Sequence, residues 1–241
     1  MLVAFLAYVI KTTTGFGTAI VTVSLGSLLI GSYEAVLLSP VIDVIGGAIL
    51  FYRDPVTDNK SFWIPLTAAM TAGSIIGAVV LKLIPMQSFD VLVGAVIALL
   101  GFWFIISRSG KGESDLETTL PNRATPADLA VSTFSGLCGG LFAVSGPPIV
   151  YWLGRRFAKF SFRRTLIAVF FFSNVGRLIA YGATGLLFGR LLTMTLYSIP
   201  GIVLGIFLGD RLFHFLSEGW FSRVVGAVLL IVSIKLLWGY I

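Results

Sequence analysis

Two long apolar stretches of this chain are broken in the middle, by residues that end one helix and open another. The first break is Lys11-Thr12-Thr13-Thr14-Gly15-Phe16-Gly17; the second is Ala143-Val144-Ser145-Gly146-Pro147-Pro148, offset by about 128 residues. Inside hydrocarbon an unpaired backbone N–H or C=O costs several kcal/mol. A broken helix therefore persists there only where the break is buried in protein or lines a cavity. Matched interruptions in two halves of one chain point to the binding site of a transporter.

Composition places these stretches in a membrane. Of 241 residues 57% are hydrophobic and only 12% are charged, where a soluble domain carries about a quarter. Runs such as 61–81 and 191–209 approach the roughly 20 apolar residues that a span requires. The net charge of +6 reads as Lys and Arg in cytoplasmic loops, so lipid is the expected surrounding and nucleic acid is not an expected partner. Cys138 and His214 are the lone residues of their types. They supply neither a disulfide, a metal cluster nor a nucleophile with its base, so no cofactor, no metal and no enzyme activity are expected. The N-terminus lacks a basic n-region and does not read as a removable signal peptide.

One hydrophilic segment, 107–125, reads as a linker between a membrane repeat at 1–106 and a second at 126–241. Gly73-xxx-Gly77 echoes Gly201-xxx-Gly205-xxx-Gly209, and Gly94-Ala95-Val96 echoes Gly226-Ala227-Val228. Small residues four apart let membrane helices approach closely. Each half holds one interrupted element (1–31, 127–154) followed by three spans: 34–52, 62–84 and 89–107, then 162–188, 191–213 and 220–241.

Charge decides what the interrupted elements do. If both cross the membrane, Lys and Arg divide seven against eight between the two faces, and no orientation is specified. If both are re-entrant, one face holds Arg53, Lys60, Arg108, Lys111, Arg123, Arg155, Arg156, Lys159, Arg163, Arg164, Arg211 and Arg223, and the other only Lys82, Arg190 and Lys235. That bias satisfies the positive-inside rule. The expected fold is an all-α integral membrane protein of two inverted repeats, each one re-entrant element plus three transmembrane helices, with both termini on the non-cytoplasmic side.

Three ionisable residues fall deep in apolar sequence: Lys11 beside the first break, Asp43 mid-span, and Arg177, which is 13 residues beyond Arg164. Charges at such depth cost at least about 2.5–3.5 kcal/mol and mark function by default; the competing reading is an ion pair of Asp43 with Lys11 or Arg177 that holds the bundle together. Asn174, Arg177 and Tyr181 share one helical face. The start of a helix presents free N–H groups and a positive dipole end to an anion. Thr14, Gly15 and Gly17 would open a half-helix at 18–29, and Ser145, Gly146 and Pro147 another at 149–153, the two starts meeting near the bilayer midplane.

At these residues the chain resembles the TauE/SafE family of sulfite exporters and related permeases. The resemblance covers nearly the whole length and rests on Gly15-Phe16-Gly17, on the glycine-rich run 135–148 that closes in Gly146-Pro147, and on four apolar segments either side of a hydrophilic loop. It departs in the first repeat, which lacks the family's longer glycine cluster and proline. The resemblance implies transport of sulfite, sulfonates or other small sulfur-containing anions.

The expectation is a secondary permease of the bacterial inner membrane, working by alternating access on a small anion. Lys11, Thr14, Gly15, Gly17, Ser145, Gly146, Pro147, Asn174 and Arg177 bind the substrate, and Asp43 carries a coupling ion. A passive anion channel and a non-transporting assembly subunit are the alternatives; the expected partners are the small anion and the lipid bilayer, and a homo-oligomer is compatible with the sequence.

Overall fold

The computed structural model describes residues 1–56, 59–106, 121–154, 157, 159–187 and 189–212. Its elements are helices: α1 (Leu2–Thr14), α2 (Thr18–Ile30), α3 (Ser32–Arg53), α4 (Lys60–Leu83), α5 (Met86–Ile106), α6 (Pro126–Phe142), α7 (Gly146–Gly154), α8 (Lys159–Ala183) and α9 (Gly189–Leu212). The expected span 220–241, the echo at Gly226-Ala227-Val228, His214, Arg155, Arg156 and most of the linker lie outside the described residues. α3, α4, α9 and α8 from Ser161 onward are long and apolar enough to cross a membrane. α1 and α2 have 13 residues each, about 20 Å, too short for a core of about 30 Å.

The breaks fall where local chemistry dictates. α1 ends because Gly15 turns left-handed (φ 84°) and returns its N–H to the Lys11 carbonyl at 2.7 Å. Gly17 is also left-handed (φ 94°), and α2 starts behind it. α6 opens on a reciprocal cap between Thr125 and Asp128, with Pro126 in the first turn, where a missing N–H costs nothing. It ends at Ala143, also left-handed (φ 59°), whose N–H returns to the Gly139 carbonyl at 2.8 Å. Gly15 and Ala143 close their helices alike.

Ion pairs fix which helix ends lie together. Glu34, early in α3, meets Arg190, early in α9, at 3.1 Å; Arg53 at the end of α3 meets Asp210 near the end of α9 at 2.6 Å. α3 and α9 therefore run the same way, from a Glu34 end to an Arg53 end. Arg163 and Arg164, early in α8, reach Asp210 (3.3 Å) and Asp54 (2.8 Å), so α8 runs back.

The broken segments are hairpins. α1 lies along the second half of α9 and runs with it: Gly201 faces Met1 and Phe5, Gly205 faces Phe5 and Tyr8, and Gly209 faces Val9 and Thr12. It heads for the Arg53 end, where Gly15 packs on the Arg163 backbone; α2 then returns and joins α3 through Gly31. α6 instead runs with α4, away from the Arg53 end, Gly136 against Met70 and Gly140 against Ser74. α7 comes back, its Trp152 Nε1 donating to Asp128 Oδ1 at 2.6 Å and its Gly154 resting on Phe162. The hairpins thus open toward opposite ends, and each packs its first helix on a helix of the other half of the chain.

The glycine contacts correct the register expected from sequence. Gly73 faces Thr133 and Leu137, and Gly205 faces Phe5 and Val9; Gly77 faces Leu137 and Gly140, and Gly209 faces Val9 and Thr12. The equivalent residues are therefore Gly73 with Gly205 and Gly77 with Gly209, one turn away from the match at 128. Part of the extra turn lies in α8, which has 25 residues where α3 has 22.

Candidate functional site

Room for a polar centre comes from Gly46 and Gly47 on α3. A Cβ at Gly46 would collide with the Tyr8 ring, and one at Gly47 would lie 3.7 Å from Lys11 Nζ. Tyr8 and Lys11, three residues apart on one face of α1, thereby reach Asp43. Lys11 Nζ donates to Asp43 Oδ1 at 2.7 Å. Tyr8 donates to the Ile42 carbonyl at 2.7 Å, with Asp43 Oδ1 at 3.4 Å.

From the other side α8 completes the network. Asn174 Nδ2 donates to Asp43 Oδ2 at 2.9 Å, and its Oδ1 accepts from Arg177 at 2.6 Å. Arg177 also donates to the Gly139 carbonyl, and the Tyr181 hydroxyl to the Gly140 carbonyl at 2.7 Å. Those carbonyls belong to the last turn of α6, which carries the negative end of the dipole, and that of Gly139 accepts from Arg177 in addition to the capping Ala143 N–H. Lys11, Asp43, Asn174 and Arg177 thus form one continuous chain of hydrogen bonds across α1, α3, α8 and α6, each residue at most 5% exposed.

The charges in this chain are not equally matched. Both oxygens of Asp43 are engaged, one of them by Lys11. Arg177 touches only neutral acceptors and, among the described residues, makes no ion pair; its Nε has no hydrogen-bond partner. A buried ion is normally paired and fully hydrogen-bonded.

The second break sits beside this guanidinium. A Cβ built at Gly139 would lie 3.4 Å from both an Arg177 terminal nitrogen and Ser145 Oγ. α7 begins there with Gly146, followed by Pro147 and Pro148, which carry no N–H. The two breaks touch: a Cβ at Gly146 would be 3.3 Å from the Phe16 ring. The first break is otherwise directed elsewhere. Gly15 packs on Arg163, 14 residues from Arg177 along α8, or about 21 Å. Gly17 abuts Ile10, and the Thr14 hydroxyl is held within its own turn, at 2.8 Å from the Ile10 carbonyl and 2.9 Å from that of Phe16. The structure therefore gathers Lys11, Asp43, Asn174, Arg177 and Ser145, and sets Gly15 and the Thr14 hydroxyl apart from them.

Tyr8 and the carbonyls of Gly139 and Gly140 escaped the sequence reading. Tyr8 is signalled only by its spacing from Lys11. The Gly139 and Gly140 carbonyls carry no side-chain signal, although the glycine run they lie in was visible.

The family model described as Sulfite exporter TauE/SafE matches residues 1–236. Among curated proteins, the probable membrane transporter protein MamO of Magnetospirillum gryphiswaldense is 29% identical over 121 residues, which are 48% of this chain and 19% of MamO. The aligned part thus spans about a fifth of that relative's length. No solved structure matches.

Proposed function

Because the chain belongs to the sulfite exporter TauE/SafE family, we propose that it is a secondary permease for a small, sulfur-containing anion in a bacterial inner membrane. The observation that carries this reading is Arg177, buried with no carboxylate partner and no partner for Nε among the described residues. Burying a cation in this way is costly, and a bound anion removes the cost. Ser145 Oγ and the first-turn N–H of Gly146 would complete the site. Gly15, Gly17 and Thr14 shape the facing hairpin, and Asn174 holds the guanidinium.

The architecture we infer is two inverted repeats, 1–106 and 126–241, joined by a hydrophilic linker. Support comes from hairpins that open toward opposite ends and from the repeated glycine contacts. Since each hairpin packs on the other repeat, the moving bodies in alternating access are the cross-packed pairs α1–α9 and α4–α6, not whole repeats. Asp43 is the acid a coupling proton would use, and protonation there would release Lys11. Export of a monoanion from an inside-negative cell is downhill by about 2.3 kcal/mol per 100 mV and needs no such coupling.

Thermal-shift titration of the purified protein with sulfite tests the reading, since a ligand that binds the folded state raises apparent stability. Arg177→Gln is expected to weaken binding at least tenfold while the unliganded protein expresses and melts near wild type. Undiminished binding in that variant, or a folded Arg177→Lys that binds as wild type does after Arg177→Gln unfolds, would assign Arg177 to structure alone. Counterflow of labelled substrate in liposomes separates a carrier from a channel.

A further inference from the structure

We propose that the site selects its substrate by charge: it takes a tetrahedral monoanion, the alkanesulfonate class, and rejects a dianion of similar shape, with Asp43 setting that choice. The inference rests on the anion-permease reading.

Among the described residues four charged side chains are buried: Lys11, Asp43 and Arg177 in one network, at 1%, 5% and 1% exposure, and Asp128, at 1%, at the start of α6, about 17 Å along the helix from Gly139. Lys11 and Asp43 cancel at 2.7 Å. Asp43 makes no direct hydrogen bond to Arg177: Asn174 donates to its second oxygen and interposes a neutral amide. The ion pairs of Glu34, Asp54 and Asp210 lie at the ends of the bundle, and Asp128 is engaged by Thr125 and Trp152 at the start of α6. The dipoles at the second break oppose each other: α6 ends there with its negative pole, and α7 begins with its positive one.

Among the described residues the Lys11–Asp43–Arg177 network therefore holds an excess of one positive charge. Water is excluded from it, and unmatched charge is poorly screened. A monoanion beside Arg177 and Ser145 brings the total to zero, whereas a dianion leaves one negative charge without a partner. Neutralising Asp43 changes the count, since Lys11 and Arg177 then stand together and their excess matches a dianion. Proton and substrate are linked by this arithmetic: a monoanion travels alone, and a dianion requires Asp43 to be protonated.

Methanesulfonate and sulfate, tetrahedral anions of one and two charges, are the probes, applied to the purified full chain in thermal-shift titrations at neutral pH. Wild type is expected to bind methanesulfonate at least tenfold more tightly than sulfate. Asp43→Asn, which mimics the protonated acid, is expected to reverse that order. The double variant Lys11→Gln/Asp43→Asn has the wild-type charge count and is expected to restore it. Wild type binding sulfate as tightly as methanesulfonate overturns the inference, as does an unchanged ratio in Asp43→Asn. The wild-type ratio decides the matter even where Asp43→Asn does not fold. Binding of sulfite together with an equal response to both probes sinks charge selection alone; no response to sulfite or to either probe removes the permease reading with it.

Discussion

At the scale of single residues, the Lys11–Asp43 pair shows how a membrane protein carries charge in its interior. Two ions are buried, yet each is answered at 2.7 Å, and Asn174 satisfies the remaining oxygen. Removing one partner strands the other, at a cost of about 3–5 kcal/mol, whereas removing both is far milder. Lys11→Met should therefore lower the melting temperature steeply, and Lys11→Met/Asp43→Asn should recover most of the loss. Additive losses across that cycle would mean that the pair contributes no coupling. The depth rule located Lys11, Asp43 and Arg177 from sequence, because a charge in apolar sequence is conspicuous whatever it touches. It left both pairings open, since Lys11 and Arg177 are each a plausible partner for one acid. The arrangement that resolves it depends on Asn174 standing between Asp43 and Arg177, which spacing along α8 does not reveal.

Among elements, the hairpin boundaries were the most legible. Gly15, Gly17 and the Ser145-Gly146-Pro147-Pro148 run act locally: they impose a left-handed residue or remove N–H groups, and the helices stop and start accordingly. Which helix each hairpin docks against was not legible. The partners α1 and α9 are separated by most of the chain, and a glycine stripe advertises close contact without naming the contact. For the same reason the match at an offset of 128 paired the wrong glycines; only the backbones they face distinguish one turn from the next. The contacts leave no space for a side chain. A Cβ at Gly77 would lie 2.5 Å from the Leu137 carbonyl, while one at Gly189 would meet nothing within 4 Å. Gly77→Leu should destabilise the protein by about 3 kcal/mol or more, as forced overpacking does at its upper range. Gly189→Ala should stay within about 0.5 kcal/mol, both read from thermal unfolding in detergent.

For the molecule as a whole, the ion pairs and helix directions give the two ends different characters. Arg53, Lys60, Arg123, Arg163, Arg164 and Arg211 gather at one end, while Lys82 and Arg190 lie at the other. By the positive-inside rule the Arg53 end is expected to face the cytoplasm. In a Cys138→Ser background, a cysteine at Lys60 should react with impermeant maleimide only in inverted vesicles, and one at Lys82 only in intact cells. The reverse pattern would turn the protein over, exchanging the faces on which the two hairpins open. Cross-packing also has a bearing on synthesis. α1 leaves the ribosome well before the helix it lies against: α9 is made nearly 190 residues later, a delay of roughly 10–40 s at 5–20 residues per second. Through that interval a short helix bearing Lys11 lacks the surface it packs on. The chain can close only when its last described helix arrives, so a nascent protein stalled before α9 is one for quality control to find.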